Sequence, residues 1–311
     1  LKEEMMSIFW RIKKDNSLKG KVIIVTGGNS GLGFEYVKFF SDRGATVIMA
    51  CRNAEKGNRA LQKILEQNSE ARVDVLRLDL ADLISVREFS KIFQMRYSRL
   101  DILMNNAGMM FVPYEKTKDG FESQLGVNYL GHFALTGLLF DLLKQTEDSR
   151  IISTSSIFHI PGTMNFKNLM YERGGYTPFS AYARSKMACL LFTYEFQRRI
   201  DENQLSMKAL VVHPGGAKTD LFRYVRKNLL TYLFYPFFFL FTQSAHQGAF
   251  PGIRAALDKT VHGGTYFGPL FFLMGPPVKT FSAIGSYNKK TALKLWEISE
   301  ELTGVAYNFH R

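Results

Sequence analysis

The sequence predicts an α/β fold, a parallel sheet of about seven strands with helices on both faces. Three observations predict it. Short apolar runs alternate with stretches of helical spacing from Lys21 to Val212. The first apolar run ends in a glycine-rich turn that opens a helix. The chain has 311 residues, 46% hydrophobic and 22% charged, which suits one large domain with a full core.

The elements follow in order. Residues 21–25 (KVIIV) read as a buried parallel strand. Residues 33–43 have helical spacing, and Gly44 closes them. Residues 46–50 form the second strand and 53–67 a helix. Residues 73–78 form the third strand, with Asp79 at its end, and 84–97 a helix. Residues 100–104 form the fourth strand, and 121–143 read as one long helix. Residues 150–154, 180–200 and 207–212 are strand, helix and strand. No repeat, low-complexity tract or Pro/Ser-rich linker divides the chain, so residues 1–311 read as a single domain. Residues 1–19 form an N-terminal extension and 220–260 an apolar lid over a substrate site.

Composition narrows the function. Only Cys51 and Cys189 occur, far apart, so a disulfide framework is not expected. That favours a reducing compartment, the cytoplasm or the cytosolic face of a membrane. The six histidines are scattered without metal-ligand spacing, so no metal site is expected. The net charge of +12 is spread along the chain without a basic run interleaved with aromatics. This argues against nucleic acid and leaves an anionic cofactor or membrane. Residues 5–12 are too short for a signal peptide. They read as an amphipathic first helix on the body or the remnant of a membrane anchor. The stretch LLTYLFYPFFFLF begins at Leu229 and ends at Phe241, with Pro236 in its middle. It is shorter than the roughly 20 residues of a spanning helix. It reads as a core or lid helix, a patch making peripheral membrane contact, or a homodimer surface; each could also wall a lipophilic pocket.

The turn after the first strand reads Thr26-Gly27-Gly28-Asn29-Ser30-Gly31-Leu32-Gly33. Glycines let the backbone approach a pyrophosphate, and the helix that follows offers free N–H groups and partial positive charge. The order strand, loop, helix in the first βα unit is that of a dinucleotide site. The second strand ends in Ala50-Cys51-Arg52-Asn53. An acid there would repel a 2′-phosphate; Arg52 instead fits one bidentately, which favours NADP(H) over NAD(H). Further on, Tyr182 and Lys186 stand at i and i+4 of a helix and share a face. An ammonium beside a phenol favours the phenolate and suits it to proton transfer. Taken alone this spacing is a weak signal. A strand ending in Ser153-Thr154-Ser155-Ser156 adds hydroxyls, and His213-Pro214-Gly215-Gly216-Ala217-Lys218-Thr219 follows the sixth strand. His213 reads as structural.

These motifs together resemble the short-chain dehydrogenase/reductase family, whose members have a doubly wound Rossmann fold. The G-x-x-x-G-x-G loop carries the resemblance first. Asn105-Asn106-Ala107-Gly108, Asn128 in an N-x-x-G-x-F helix, the Tyr182–Lys186 pair and the Pro214–Thr219 stretch then arrive in family order. The resemblance implies roles. Tyr182 is the general acid/base, assisted by Lys186. Ser156, with Ser155 as second choice, holds the substrate oxygen. Asn128 carries a water that links to the lysine and a proton relay. Cofactor contacts fall on Gly27, Asn29, Ser30, Gly31, Leu32, Gly33, Arg52, Asn53, Asp79, Leu80, Asn106, Ala107, Gly108, Tyr182, Lys186, Pro214, Gly215 and Thr219. Asp79 would meet the adenine. Pro214 to Thr219 would meet the nicotinamide and pyrophosphate.

Within the family the chain is similar to the retinol dehydrogenase-like branch. Asp119-Gly120-Phe121-Glu122, Asn128-Tyr129-Leu130-Gly131-His132-Phe133 and Leu295-Trp296-Glu297-Ile298-Ser299 carry that likeness. Gly263 to Pro269 instead resembles bacterial members. The long segment between Ser156 and Tyr182 holds Met164, Phe166, Leu169 and Met170. Loops at strand carboxyl ends line such pockets, so the expected substrate is a small, lipophilic alcohol or carbonyl. The readings outside catalysis are a silent dinucleotide-binding scaffold and a membrane-associated adaptor.

Overall fold

The structure is a computed structural model that describes residues 17–216 and 243–309. An eight-stranded sheet runs in the order β3-β2-β1-β4-β5-β6-β7-β8. The strands are β1 Val22–Thr26, β2 Thr46–Cys51, β3 Arg72–Arg77, β4 Ile102–Asn105, β5 Ser149–Thr154, β6 Met207–Val212, β7 Tyr266–Pro269 and β8 Pro277–Lys279. Neighbours from β3 to β7 are parallel. The eighth strand goes beyond the seven expected. It is a short antiparallel partner of β7, reached through a tight reversal after Pro269.

The helices cover both faces. On one lie α1 Gly31–Ser41, α2 Ala54–Leu65 and α7 Ala245–Leu257, and their Tyr36, Val37, Phe40, Ile64, Ala249 and Ile253 are buried with Ile23, Val25 and Met49 of the sheet. On the other lie α3 Leu83–Arg96, α4 Gly131–Leu138, α5 Phe140–Gln145, α6 Pro178–Glu202 and α8 Lys289–Thr303. Phe89, Phe93, Phe133, Leu191, Phe196 and Trp296 fill that layer. Burial on two faces explains why the central strands read as unbroken apolar runs. The order reverses at β1, with β2 on one side and β4 on the other. Such a switch point leaves a crevice at the strand carboxyl ends.

The long helix expected over 121–143 is broken. A short helical turn, Ser123–Leu125, leads into a π-helical turn, Gly126–Leu130, then α4, then α5 after a break at Leu139. Close packing sets the entry to α4: a Cβ on Gly131 would stand 2.5 Å from the Leu80 carbonyl oxygen. The π turn carries Asn128. α6 begins two residues earlier than expected because Thr177 and Ser180 form a capping box and Pro178 takes the first turn.

Of the expected lid over 220–260, residues 220–242 lie outside the described residues, as does the apolar stretch from Leu229 to Phe241. Residues 245–257 form α7, a core helix packed on α1 and not a lid. Of the N-terminal extension only residues 17–19 are described; Leu18 is tied to the Arg43 carbonyl through its N–H. Among the described residues no helix is long and apolar enough to cross a membrane.

Candidate active site

A cleft of about 840 Å³ opens at the switch point. Its cofactor end is the turn between β1 and α1. Gly27 and Gly31 have positive φ, 67° and 52°. A Cβ on Gly33 would lie 2.1 Å from the Gly27 carbonyl oxygen, so α1 approaches the strand end as only glycine allows. Ser30, the N-cap of α1, makes no side-chain cap bond, which leaves the first N–H groups of the helix for another acceptor.

Thr26 ties this turn to the sheet centre. Its Oγ1 accepts the N–H groups of Asn106 and Ala107, each at 2.9 Å. Asn106 Nδ2 returns a bond to the Thr26 carbonyl, also 2.9 Å. His132 stands behind them with Nε2 2.9 Å from Thr26 Oγ1 and Nδ1 3.1 Å from the Asn128 carbonyl. Burial holds the ring's pKa down at about 4, so it is neutral. A carbonyl only accepts, so Nδ1 carries the proton and Nε2 accepts from the threonine hydroxyl.

Arg52, Asn53, Asp79 and Leu80 line the cleft beyond the loop, and Ala107, Gly108, Pro214 and Gly215 close it. Asn53 also caps α2, its Oδ1 accepting Lys56 N–H at 2.8 Å. Asp79 Oδ1 accepts Ala81 N–H at 3.1 Å. Thr219 lies outside the described residues. The structure adds Lys56, Arg59 and Lys63 to the same wall as Arg52. Their spacing of three, four and seven is a basic helical stripe, and a face-by-face reading of 53–67 would have found it.

At the other end stand Ser156, Tyr182 and Lys186. Tyr182 is 5% exposed, on the second turn of α6, with the Ser156 side chain beside its phenol. Ser156 Oγ also accepts Phe158 N–H at 3.3 Å, which fixes the turn after β5. The neighbouring Ser155 is turned away and donates to the Lys186 carbonyl at 2.9 Å. Lys186 Nζ lies 5.6 Å from the Tyr182 ring centroid and donates to the Thr154 carbonyl at 2.9 Å. Thr154 Oγ1 is buried beside them with no protein partner.

The electrostatics differ from the sequence expectation. The ammonium was expected to lower the tyrosine's pKa. In the protein alone, burial pushes the Tyr182 phenol well above its ordinary value, against the opposing effect of Ser156. Burial also pulls Lys186 down. Each group is therefore poised to change protonation when charge arrives beside it.

Asn128 is not in the cleft wall. Its Oδ1 accepts Met109 N–H at 2.8 Å, and its Nδ2 donates to the Met109 carbonyl at 3.0 Å and to Ser185 Oγ at 2.9 Å. Its own carbonyl receives His132 Nδ1 and, at 3.4 Å, Cys189 Sγ. The side chain, expected to carry a water towards the lysine, is instead a clamp on the strand-end loop. The substrate side is apolar: Met109, Met110, Ile157, Phe158 and Leu273 line it.

The glycine cradle, the unpartnered Thr154 hydroxyl and the basic stripe fit a nicotinamide dinucleotide. With the buried Tyr182 and Lys186 and the adjoining Ser156 they define an oxidoreductase of the doubly wound α/β class. The sequence matches the family model described as short chain dehydrogenase over residues 21–230, and the chain belongs to that family. It is 38% identical to retinol dehydrogenase 12 of Homo sapiens over 292 residues, 93% of this chain and 88% of that one. It is 36% identical to polyprenol dehydrogenase of Homo sapiens over 296 residues, 92% and 86% of the two chains. Among solved structures, an uncharacterized protein from Mycobacterium paratuberculosis superposes with a TM-score of 0.78 at 38% identity, covering 94% of this chain and 96% of that one. The RhlG/NADP complex of Pseudomonas aeruginosa, at 20% identity and TM-score 0.64 over 83% and 97%, shares the fold.

Proposed function

We propose that the protein is an NADP(H)-dependent oxidoreductase that interconverts an alcohol and a carbonyl on a lipophilic substrate. The observation that carries this reading is the buried Tyr182 with Ser156 and Lys186 beside it, at the apolar end of a cleft whose other end is a glycine cradle with Arg52.

The bound cofactor supplies hydride chemistry at the substrate carbon. The chain's own residues do the rest. Gly27 to Gly33 receive the pyrophosphate on backbone N–H groups. Arg52, with Lys56 and Arg59 on the same wall, holds the 2′-phosphate. Asp79 faces the adenine. Ser156 and Tyr182 hold the substrate oxygen, and Tyr182 Oη gives or takes its proton. Lys186, anchored on the Thr154 carbonyl, keeps positive charge beside the phenol and favours its ionised form during transfer. Asn128 acts through Met109 and Ser185, shaping the cleft from behind.

The apolar substrate is supported by Met109, Met110, Ile157, Phe158 and Leu273, which offer area without hydrogen-bond partners. Two relatives, a retinol dehydrogenase and a polyprenol dehydrogenase, are named for substrates of the same class. The test is a screen of NADPH oxidation over aldehydes and ketones of graded chain length, with NADH in parallel. The reading predicts turnover that rises with chain length and favours NADPH. Turnover confined to small polar ketones would overturn the substrate class, and equal use of NADH would overturn the cofactor.

A further inference from the structure

The loop after Asn105-Asn106-Ala107-Gly108 is held by two carboxamides from one helical segment. Asn128 grips Met109 through both backbone groups. Gln124, one turn earlier, grips the other end: its Oε1 accepts Phe111 N–H at 2.9 Å. Gln124 is 0% exposed, and its remaining groups are also engaged. Nε2 donates to Tyr176 Oη at 3.1 Å and to the Pro178 carbonyl at 3.0 Å. The Tyr176 hydroxyl closes the circuit by donating to the Val112 carbonyl at 2.7 Å. One buried amide thus joins the 111–112 loop to the N-terminus of α6.

The residue it holds is strained. Phe111 has φ 56°, a left-handed conformation that a non-glycine residue keeps only where the surroundings impose it. The consequence is the position of its ring. Phe111 stands edge-on to Tyr182 with centroids 5.3 Å apart. It also lies 5.7 Å from Phe158 and 5.8 Å from Phe179, and those two are 5.7 Å from each other. Three phenylalanines make a near-equilateral collar against the reacting tyrosine. Phe158 lines the cleft, and Phe179 is 44% exposed, so the collar runs from solvent to Tyr182. Phe179 directly follows the carbonyl that Gln124 holds, so two of the three rings depend on the same amide.

We propose that Phe111 is a specificity-determining residue and Gln124 its positioning residue. The inference rests on the reading that Tyr182 serves a substrate oxygen, and it adds which side chains choose the substrate. A carbonyl that reaches Tyr182 Oη brings the group on its neighbouring carbon to Phe158, which lines the cleft and is held in place by Phe111 packed against it and against Tyr182. Rings fixed by a strained backbone and a saturated amide do not yield as mobile side chains do. The collar therefore discriminates by bulk next to the carbonyl carbon, whereas tail length is read elsewhere in the cleft.

The test compares decanal with its 2-methyl derivative as NADPH-dependent substrates of the wild type, Phe111→Ala and Gln124→Met. The wild type favours the unbranched aldehyde. Phe111→Ala lowers the ratio of the two kcat/KM values by about tenfold, the scale at which small apolar groups are discriminated in pockets. Gln124→Met keeps the side-chain length and lowers the ratio in the same direction, by about threefold, mainly through KM. NADPH affinity stays within about twofold in both, because neither residue lines the cofactor end. An unchanged ratio in both variants, with decanal still reduced, overturns the proposal and leaves the collar as packing. If Phe111→Ala does not fold, Gln124→Met alone decides by the same ratio. Absence of turnover by the wild type with either aldehyde overturns the reading of the site itself, and this inference with it.

Discussion

At the cofactor end of the cleft the groups are backbone atoms, short side chains and Arg52 at strand ends, with a basic stripe on α2. At the substrate end they are rings on two loops and on the first turn of α6, tied together by a buried amide. Thr26, Gly27 and Gly33 act through where the backbone runs. Phe111, Phe158 and Phe179 act through where side chains point. Backbone geometry tolerates little change, so the first end binds one kind of molecule. A ring on a loop can be exchanged without disturbing the sheet, so the second end is where substrate choice is free to vary. Lys186 and Tyr182 stand at the junction.

Substitution of Lys186 by Met tests that junction, and its effect should be the largest. The side chain keeps most of its length and its apolar stem, but the bond to the Thr154 carbonyl and the charge beside Tyr182 are lost. We expect kcat/KM for an aldehyde to fall by about 10³-fold, within the range ascribed to assisted proton transfer. Steady-state NADPH oxidation reads it, and activity within about threefold of wild type would remove Lys186 from the chemistry.

Arg52→Ala separates the two ends. NADPH affinity should weaken by about 100-fold as a charge-assisted phosphate contact is lost, while NADH affinity holds. Fluorescence titration with both cofactors measures it. Equal weakening for both would mean that Arg52 shapes the strand end rather than reading a phosphate.

The smallest expected effect joins the ends. His132 stands behind Thr26 at one, and His159 at the other bridges the Ser156 carbonyl and Ala283 N–H. Burial lowers both pKa values, His132 to about 4, and holds His213 at about 3. Unfolded, each takes a proton near pH 6.5 that the native state refuses. Stability is therefore complete above that pH and is lost as pH falls towards the folded values. For His132 alone the loss at pH 5 is on the order of 2 kcal/mol. Urea midpoints at pH 7.5 and pH 5 should differ accordingly; identical midpoints would mean that the histidines titrate normally.

The same comparison explains what was legible in the sequence. The sheet, the glycine turn, Arg52, Asp79 and the Tyr182–Lys186 face could be read because each depends on a strand end or a helical repeat, both local. Lys56 and Arg59 obey the same rule, three apart on one face of the helix over 54–65. The break within 121–143 was hidden because apolar spacing persists through a π turn, and what decides the path is the contact of Gly131 with Leu80. Gln124 was illegible for a stronger reason. Its partners are 13, 52 and 54 residues away, and nothing local distinguishes it from a surface glutamine. The expectation that Lys186 lowers the Tyr182 pKa was drawn from two side chains, whereas burial by the whole layer outweighs them.

The central claim is that Tyr182 moves the proton on a substrate oxygen while the rest of the cleft holds cofactor. Tyr182→Phe removes one hydroxyl and leaves the ring against Phe111 and Phe158. The measurement is NADPH-dependent aldehyde reduction by this variant, alongside its NADPH dissociation constant. The account predicts turnover reduced by about 10³-fold or more with the dissociation constant within about threefold of wild type. Wild-type turnover in the variant would contradict it.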